Sequence, residues 1–315
     1  MTRPGGAAGG TLAVAIAACL FGTLGPVSRA AYDGGLTPLA FSLWRAVVGA
    51  AALALLLAFL HARGRDRVHW RTLPPRAVVA LGLTGATSLV LNLAIFSAFG
   101  RTSIALALLG FYTYPALVAG AAVLLGEERL TRTRAAALAL ALAGMAVVVL
   151  GGGAGGSVDA GGFGLALLAA AMQAVYVLLG RRGFRAIPSE EATFGVVATT
   201  AAGFLVLVVA SGASRVATLP LREPAILPPL LWAGIAGAAV PTLLFLLAIR
   251  SIGPTRTSIV ALVEPVAGTL LAAALLGEAL GPAQLAGGAL VLLAATLLQR
   301  GGEDAEPHEQ VSGTT

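Results

Sequence analysis

Tyr114-Pro115, with Leu124-Leu125-Gly126-Glu127 after it, recurs in this 315-residue chain as Glu264-Pro265, with Leu275-Leu276-Gly277-Glu278 after it. The two prolines lie 150 positions apart, and each stands in the fourth of five apolar segments. The ten segments are expected near 12–31, 38–60, 77–98, 103–125, 135–150, 162–180, 192–211, 229–249, 257–276 and 283–299. A hydrocarbon core of ~30 Å takes about 20 helical residues, which sets these lengths. An odd number of spans per copy brings the second copy in from the opposite side of the bilayer. The fold class that follows is an all-α integral membrane protein, ten transmembrane helices in two inverted five-helix repeats. The repeats are placed at 11–150 and 161–299, and 300–315 reads as a disordered, solvated cytoplasmic tail. Two inverted halves around a midplane site is the usual build of a secondary transporter.

Composition agrees. The chain is 58% hydrophobic and 11% charged, with a mean hydropathy of +0.92. A soluble domain needs far more polar surface. Long apolar runs satisfy their own backbone hydrogen bonds in lipid as helices, whereas barrel strands alternate apolar and polar residues. All twenty basic residues are Arg. The isoelectric point near 10.6 is no sign of nucleic-acid binding, because the Arg residues sit mostly in short loops, where they set topology.

An N-terminus on the cytoplasmic side puts fifteen Arg inside and leaves only Arg101, Arg215 and Arg222 in outside loops. Both termini are therefore expected in the cytoplasm, in a multi-pass protein of the inner or plasma membrane. The longest inside loop, 61–76, carries His61, His69 and Trp70 and reads as a topology determinant beside anionic headgroups rather than a metal site. The link between the halves contains Gly151-Gly152-Gly153-Ala154-Gly155-Gly156, formally GxGxxG. With membrane helices on both sides it is a hinge, not a dinucleotide site. Cys19 is the sole cysteine and is expected as a buried thiol of the first helix.

Thirteen of the fourteen acidic residues fall in loops, at span ends or in the tail; Glu264 does not. About nine residues into its span, it stands ~14 Å deep, near the bilayer centre. An acid there must face a cavity, find a partner or be protonated. Pro265 beside it removes an amide donor and breaks the helix, freeing a carbonyl next to the carboxyl group. That pair suits a substrate ammonium group or a transported proton; it also suits a structural carboxylate pinning two helices. Arg45 is the basic counterpart, able to pair with Glu264, clamp a substrate carboxylate, or snorkel outward. Arg29, nearer a span end, reads as an interface residue. Thr84, Ser88 and Asn92 repeat every four residues on one face of the third span, and Gln173 and Tyr176 share a face of the sixth. Such stripes point away from lipid, toward a neighbouring helix or a translocation path. Tyr112, Thr113 and Tyr114 mark the equivalent broken point before Pro115. Trp44 and Trp232 read as interfacial anchors. Ala283 and Gly287 permit close helix contact or dimerisation.

Ten spans, the Arg of Phe41-Ser42-Leu43-Trp44-Arg45, Gly-Glu at the ends of spans 4 and 9, and Leu262-Val263-Glu264-Pro265-Val266 together resemble an EamA-type member of the drug/metabolite transporter superfamily, over residues 11–299. The resemblance implies a basket of ten helices, four from each repeat around a central cavity and the fifth outside. It implies transport, usually export, of amino acids, related metabolites or drugs. Arg45, Glu264 and Pro265 carry over by direct match. The halves are not chemically symmetric: Tyr114 stands where the second copy has Glu264. Thr102 to Pro115 spans 13 positions, whereas Thr255 to Pro265 spans 10.

The expectation is a secondary carrier, an exporter of small metabolites such as amino acids or amphipathic drugs, working by alternating access. Substrate-binding or coupling residues are Glu264, Arg45, Asn92, Ser88, Tyr114, Gln173 and Tyr176. Pro26, Pro115, Pro241 and Pro265 supply helix breaks for gating. The partners are a small-molecule substrate, the lipid bilayer and, for a coupled mechanism, protons; monomer and homodimer both fit. No cofactor, metal, catalytic residue or nucleic-acid partner is expected, and no Walker A sequence is present. The alternative is an integral membrane enzyme acting on a lipid-soluble substrate. Against it, His61, His69 and His308 lie outside the spans and no acids are paired for a metal.

Overall fold

The computed structural model describes residues 5–66, 68–69, 72–126, 131–151, 159–183, 186–276 and 281–303. Glu127, Gly277 and Glu278 of the repeated motif, Trp70, the glycine run from Gly152 to Gly156 and the tail from Asp304 lie outside the described residues. Every regular element among those described is helical. They are α1 (Gly5–Gly22), α2 (Leu24–Asp33), α3 (Pro38–Ala62), α4 (Pro75–Arg101), α5 (Ile104–Phe111), α6 (Tyr114–Leu124), α7 (Arg132–Gly151) and α8 (Ala160–Arg182). The second half continues with α9 (Ser189–Ala210), α10 (Ser214–Ala217), α11 (Leu227–Gly234), α12 (Val240–Ile252), α13 (Pro254–Val260), α14 (Val263–Leu276) and α15 (Pro282–Glu303). A π-turn over Ile235–Ala239 joins α11 to α12. The last helix runs to Glu303, so the residues from 300 to 303, expected in the tail, continue it.

The starts are written locally. Thr37 accepts a hydrogen bond from the Ala40 amide with Pro38 opening the helix, Ser103 accepts from Leu106, and Asp159 accepts from Gly161 and Gly162. Each side-chain acceptor satisfies an amide that the first helical turn leaves unpaired. Large apolar side chains such as Leu12, Leu55, Val79, Leu83, Val206 and Val209 face outward. Helices apolar on every side need lipid around them.

Among the described residues, eight stretches are long and apolar enough to cross a bilayer: Ala8–Asp33, Pro38–Ala62, Pro75–Arg101, Leu106–Leu124, Arg132–Gly151, Ala160–Arg181, Ser189–Ala210 and Pro224–Ile252. That is two fewer than the sequence suggests. The expected ninth span is broken at Ala261–Leu262 into α13 and α14, as the fourth is broken between α5 and α6. In the tenth, the described residues contain a shorter apolar helix, Pro282–Leu297.

Four interruptions share one cause. α1 stops before Thr23, α5 before Tyr112, α11 before the π-turn and α13 before Ala261. Pro26, Pro115, Pro241 and Pro265 then fall in the first turn of α2, α6, α12 and α14. Proline has no amide hydrogen, and its ring opposes the carbonyl four residues back. The first turn is the one place in a helix where neither matters.

The halves interlock. α1 packs on α12, and α8 on α4; α3 packs on α9, α6 on α13, and α7 on α15. This set maps onto itself when the halves are exchanged. The α7–α15 pair is the closest of these contacts because glycines face each other: a Cβ on Gly144 would stand 2.7 Å from the Gly287 carbonyl oxygen, and one on Gly287 would stand 2.6 Å from that of Gly144. Ala283 meets Gly151 one turn along. The Ala283/Gly287 face thus serves a contact within the chain.

Candidate functional site

A cavity of about 340 Å³ lies between the halves. Its size falls near the lower end of the ~300–1,000 Å³ typical of ligand pockets. Glu264, Arg45, Asn92, Ser88, Tyr114, Gln173 and Tyr176 all line it, so side chains scattered over 220 residues of sequence share one chamber. Pro26 and Pro265 also line it; Pro115 and Pro241 do not. Thr84, third member of the polar stripe, is buried and turns its hydroxyl to the Ala80 carbonyl of its own helix.

At one end the lining comes within a turn of helix termini, at Phe99, Ile104, Val149 and Gln284. Toward the other end a continuous buried cluster lies beneath it, including Tyr112, Tyr114, Val177, Ile259, Val260 and Leu262. The chamber therefore reaches toward the end at which α4 and α7 finish and α8 begins.

Arg45 is the most heavily engaged side chain in the wall. Nη1 donates to Asn92 Oδ1 at 2.6 Å, and Nη2 donates to the Gly237 carbonyl. The guanidinium also lies over the Phe96 ring, 5.5 Å from its centre, within range of a cation–π attraction. Asn92 donates in turn to the Ser88 carbonyl and hydroxyl, at 2.7 and 3.1 Å. Gly237 is the residue four before Pro241, so its carbonyl is the one whose usual helical donor proline removes. Arg45 fills that gap. One turn along α3, Gly49 lets the π-turn come close, with the Gly234 carbonyl oxygen 3.1 Å from where a Cβ would be. Arg45 is therefore a brace joining α3, α4 and the π-turn. It does not snorkel outward, and it forms no salt bridge with Glu264 among the described residues.

Glu264 stands in the first turn of α14, deep in the molecule yet partly open to the cavity. Its carboxyl group is within electrostatic reach of Arg45 and of the Tyr112 hydroxyl. That hydroxyl is fully buried and has no hydrogen-bond partner among the described residues. The walls around Glu264 are aromatic: Phe111 packs against both Tyr112 and Tyr114, and Phe21 against Phe245.

Outside the chamber, three ion pairs among the described residues hold element ends. His61 meets Glu191 at 3.0 Å and Arg65 meets Glu190 at 2.8 Å, tying the end of α3 to the start of α9. At the opposite end Arg101 meets Asp159 at 3.1 Å. The Gly162 amide, with the Arg101 side chain next, holds the Asp159 carboxyl below the usual carboxylate range. The Arg29 guanidinium donates to the Thr102 carbonyl. Trp44 donates to the Ala217 carbonyl, and Trp232, half exposed, donates to the Thr23 hydroxyl at the α1–α2 break. Cys19 is exposed on α1, not buried as expected. Among the described residues no group of His, Cys, Asp and Glu could hold a metal ion.

The sequence reading missed the Arg45–Gly237 bond. The signal was present in Pro241, which marks the carbonyl four residues earlier as needing a donor. Thr242 and Gln284, also in the wall, left no pattern of their own.

The profile of the EamA-like transporter family matches twice, over residues 8–150 and 160–300. No curated protein matches the chain. Among solved structures, one described only as a crystal structure of a protein is similar in fold. It is 23% identical, covers 95% of this chain and 98% of its own, and superposes with a TM-score of 0.72. With two family matches on the two halves that enclose the cavity, the chain belongs to the EamA-like transporter family, within the drug/metabolite transporter superfamily, and is a multi-pass membrane protein.

Proposed function

We propose that this chain is a secondary carrier that exports small metabolites or amphipathic drugs by alternating access of two inverted repeats. The observation that carries the reading is the chamber between the halves, which gathers the intramembrane acid, polar side chains from both repeats and the half-helix breaks. Counting α13–α14 and α15 as spans gives ten, five to a repeat, so the second repeat starts from the opposite side. The exchange-symmetric packing of the helices supports that arrangement. Both termini are cytoplasmic in this reading, in the inner or plasma membrane, because the Arg-rich loops share that side. The chamber then opens outward and is closed toward the cytoplasm by the cluster around Tyr112 and Leu262.

Glu264 is the coupling or substrate-binding acid, with Ser88, Gln173, Tyr114 and Tyr176 around it; Arg45 and Asn92 shape the wall. Pro26, Pro115, Pro241 and Pro265 mark the breaks about which half-helices move. Expression in a bacterial host and efflux of a panel of labelled amino acids, nucleosides and cationic dyes tests the reading. Faster efflux of one class, collapsing when the proton gradient is dissipated, is the expected result for a proton-coupled exporter. Properly inserted protein that moves nothing on the panel counts against export.

A further inference from the structure

We propose that the cavity selects a small organic cation, a protonated amine on an apolar or aromatic body, over carboxylates and zwitterions. This narrows the substrate of the carrier reading and rests on it. One guanidinium and one carboxyl group line the chamber, and they differ in what each has left to offer. Arg45 is 8% exposed; Nη1 is held by Asn92 and Nη2 by the Gly237 carbonyl, while Nε is buried without a hydrogen-bond partner among the described residues. An arriving carboxylate meets a guanidinium almost wholly buried and already tied to two acceptors, and drawing it away would leave a buried carbonyl and amide unpaired. Glu264 is the reverse case. It is partly open to the cavity and forms no ion pair among the described residues, its polar neighbours being the Tyr112 hydroxyl and, at longer range, Arg45. The charge that the chamber presents to a visitor is therefore an acid.

The surrounding surface suits the same ligand. Phe21, Phe111, Phe245 and Tyr114 contribute aromatic surface to the walls, and ring faces attract an ammonium group. Gln173 and Ser88, half-buried, supply neutral polar contacts. A carboxylate entering beside Glu264 would meet like charge in a setting poor in water.

Three probes with one ring and one chain length separate the cases: 2-phenylethylamine, phenylalanine and 3-phenylpropionate. Each is added to the purified full chain in detergent, where melting is followed, and to proteoliposomes, where flux is followed. The amine should stabilise the protein at concentrations about tenfold or more below those phenylalanine requires, the ratio expected for one charge-assisted contact. Phenylpropionate should not stabilise it. Phenylalanine or phenylpropionate binding best, or no shift with millimolar amine, overturns the proposal. E264Q should remove the amine's effect and E264D keep part of it; should neither fold, the ranking on the natural chain decides alone. Amine binding without flux sinks the carrier reading and leaves the ligand class standing. Flux of phenylalanine without amine binding does the opposite.

Discussion

Glu264 and Arg45 look like a charge pair in the sequence and act as different things in the structure. The acid is open to the chamber, and the base is consumed by the frame. Their substitutions should diverge accordingly. Glu264→Gln keeps shape and removes charge, so folded protein should still reach the membrane while transport is lost or uncoupled from pH. Unchanged flux with an unchanged pH profile would remove Glu264 from the mechanism. Arg45→Met leaves Asn92 and the Gly237 carbonyl without their donor. Each charge-assisted bond is worth about 1.5–3 kcal/mol, so melting in detergent should fall clearly, and Arg45→Lys should recover part of the loss. A melting point unmoved by Arg45→Met would show that the brace carries no weight. At the surface the sign of a pH effect follows from Asp159. Its folded pKa is depressed, so its contribution is present above the ordinary carboxylate value of about 3.9. It is lost only as pH falls through the lower folded value. The protection factor of the amides at the start of α8, which removes the intrinsic pH dependence of exchange, should be flat between neutral pH and about 5 and lower in Asp159→Asn throughout that range.

At the scale of elements, four prolines set four half-helix junctions, and this much was legible in the sequence. Proline's missing amide is a local rule that needs no tertiary context. What filled the freed carbonyl was not legible, because Arg45 and Gly237 are 192 residues apart and only the packing of α3 on the π-turn brings them together. Pro241→Ala would restore an amide able to compete for the Gly237 carbonyl. It should straighten the α11–α12 junction, loosen Arg45 and slow transport without loss of folded protein; full activity would rule out a role for this junction in movement. The Gly144–Gly287 crossing makes a separate prediction. Gly144→Leu would drive a side chain into backbone at contact distances below 3 Å, and overpacking of this kind costs about 1–3 kcal/mol or more. Yield of folded protein should drop, although Gly144 does not line the cavity.

For the whole molecule, the repeat was visible because two motifs recur at a fixed spacing, and composition alone demanded a membrane. The chamber's membership was readable in part. Intramembrane polar residues on a shared helix face tend inward, which is why Ser88, Asn92, Gln173 and Tyr176 all reach the cavity, whereas Thr84 turns to its own backbone. Where within a span the helix stops was harder to read, since a proline-broken span such as α13–α14 has the composition of a crossing helix but not its continuity.

On the carrier reading, one chamber is offered in turn to both sides of the membrane. A single thiol at Gln173, introduced as Gln173→Cys with Cys19→Ser, tests it without knowledge of the substrate. A membrane-impermeant thiol reagent is applied to sealed right-side-out and inside-out vesicles, and labelling is timed. Alternating access predicts labelling from both faces, faster from the face toward which the chamber extends. Labelling from one face alone, over long exposure and with a proton gradient of either sign, would contradict it.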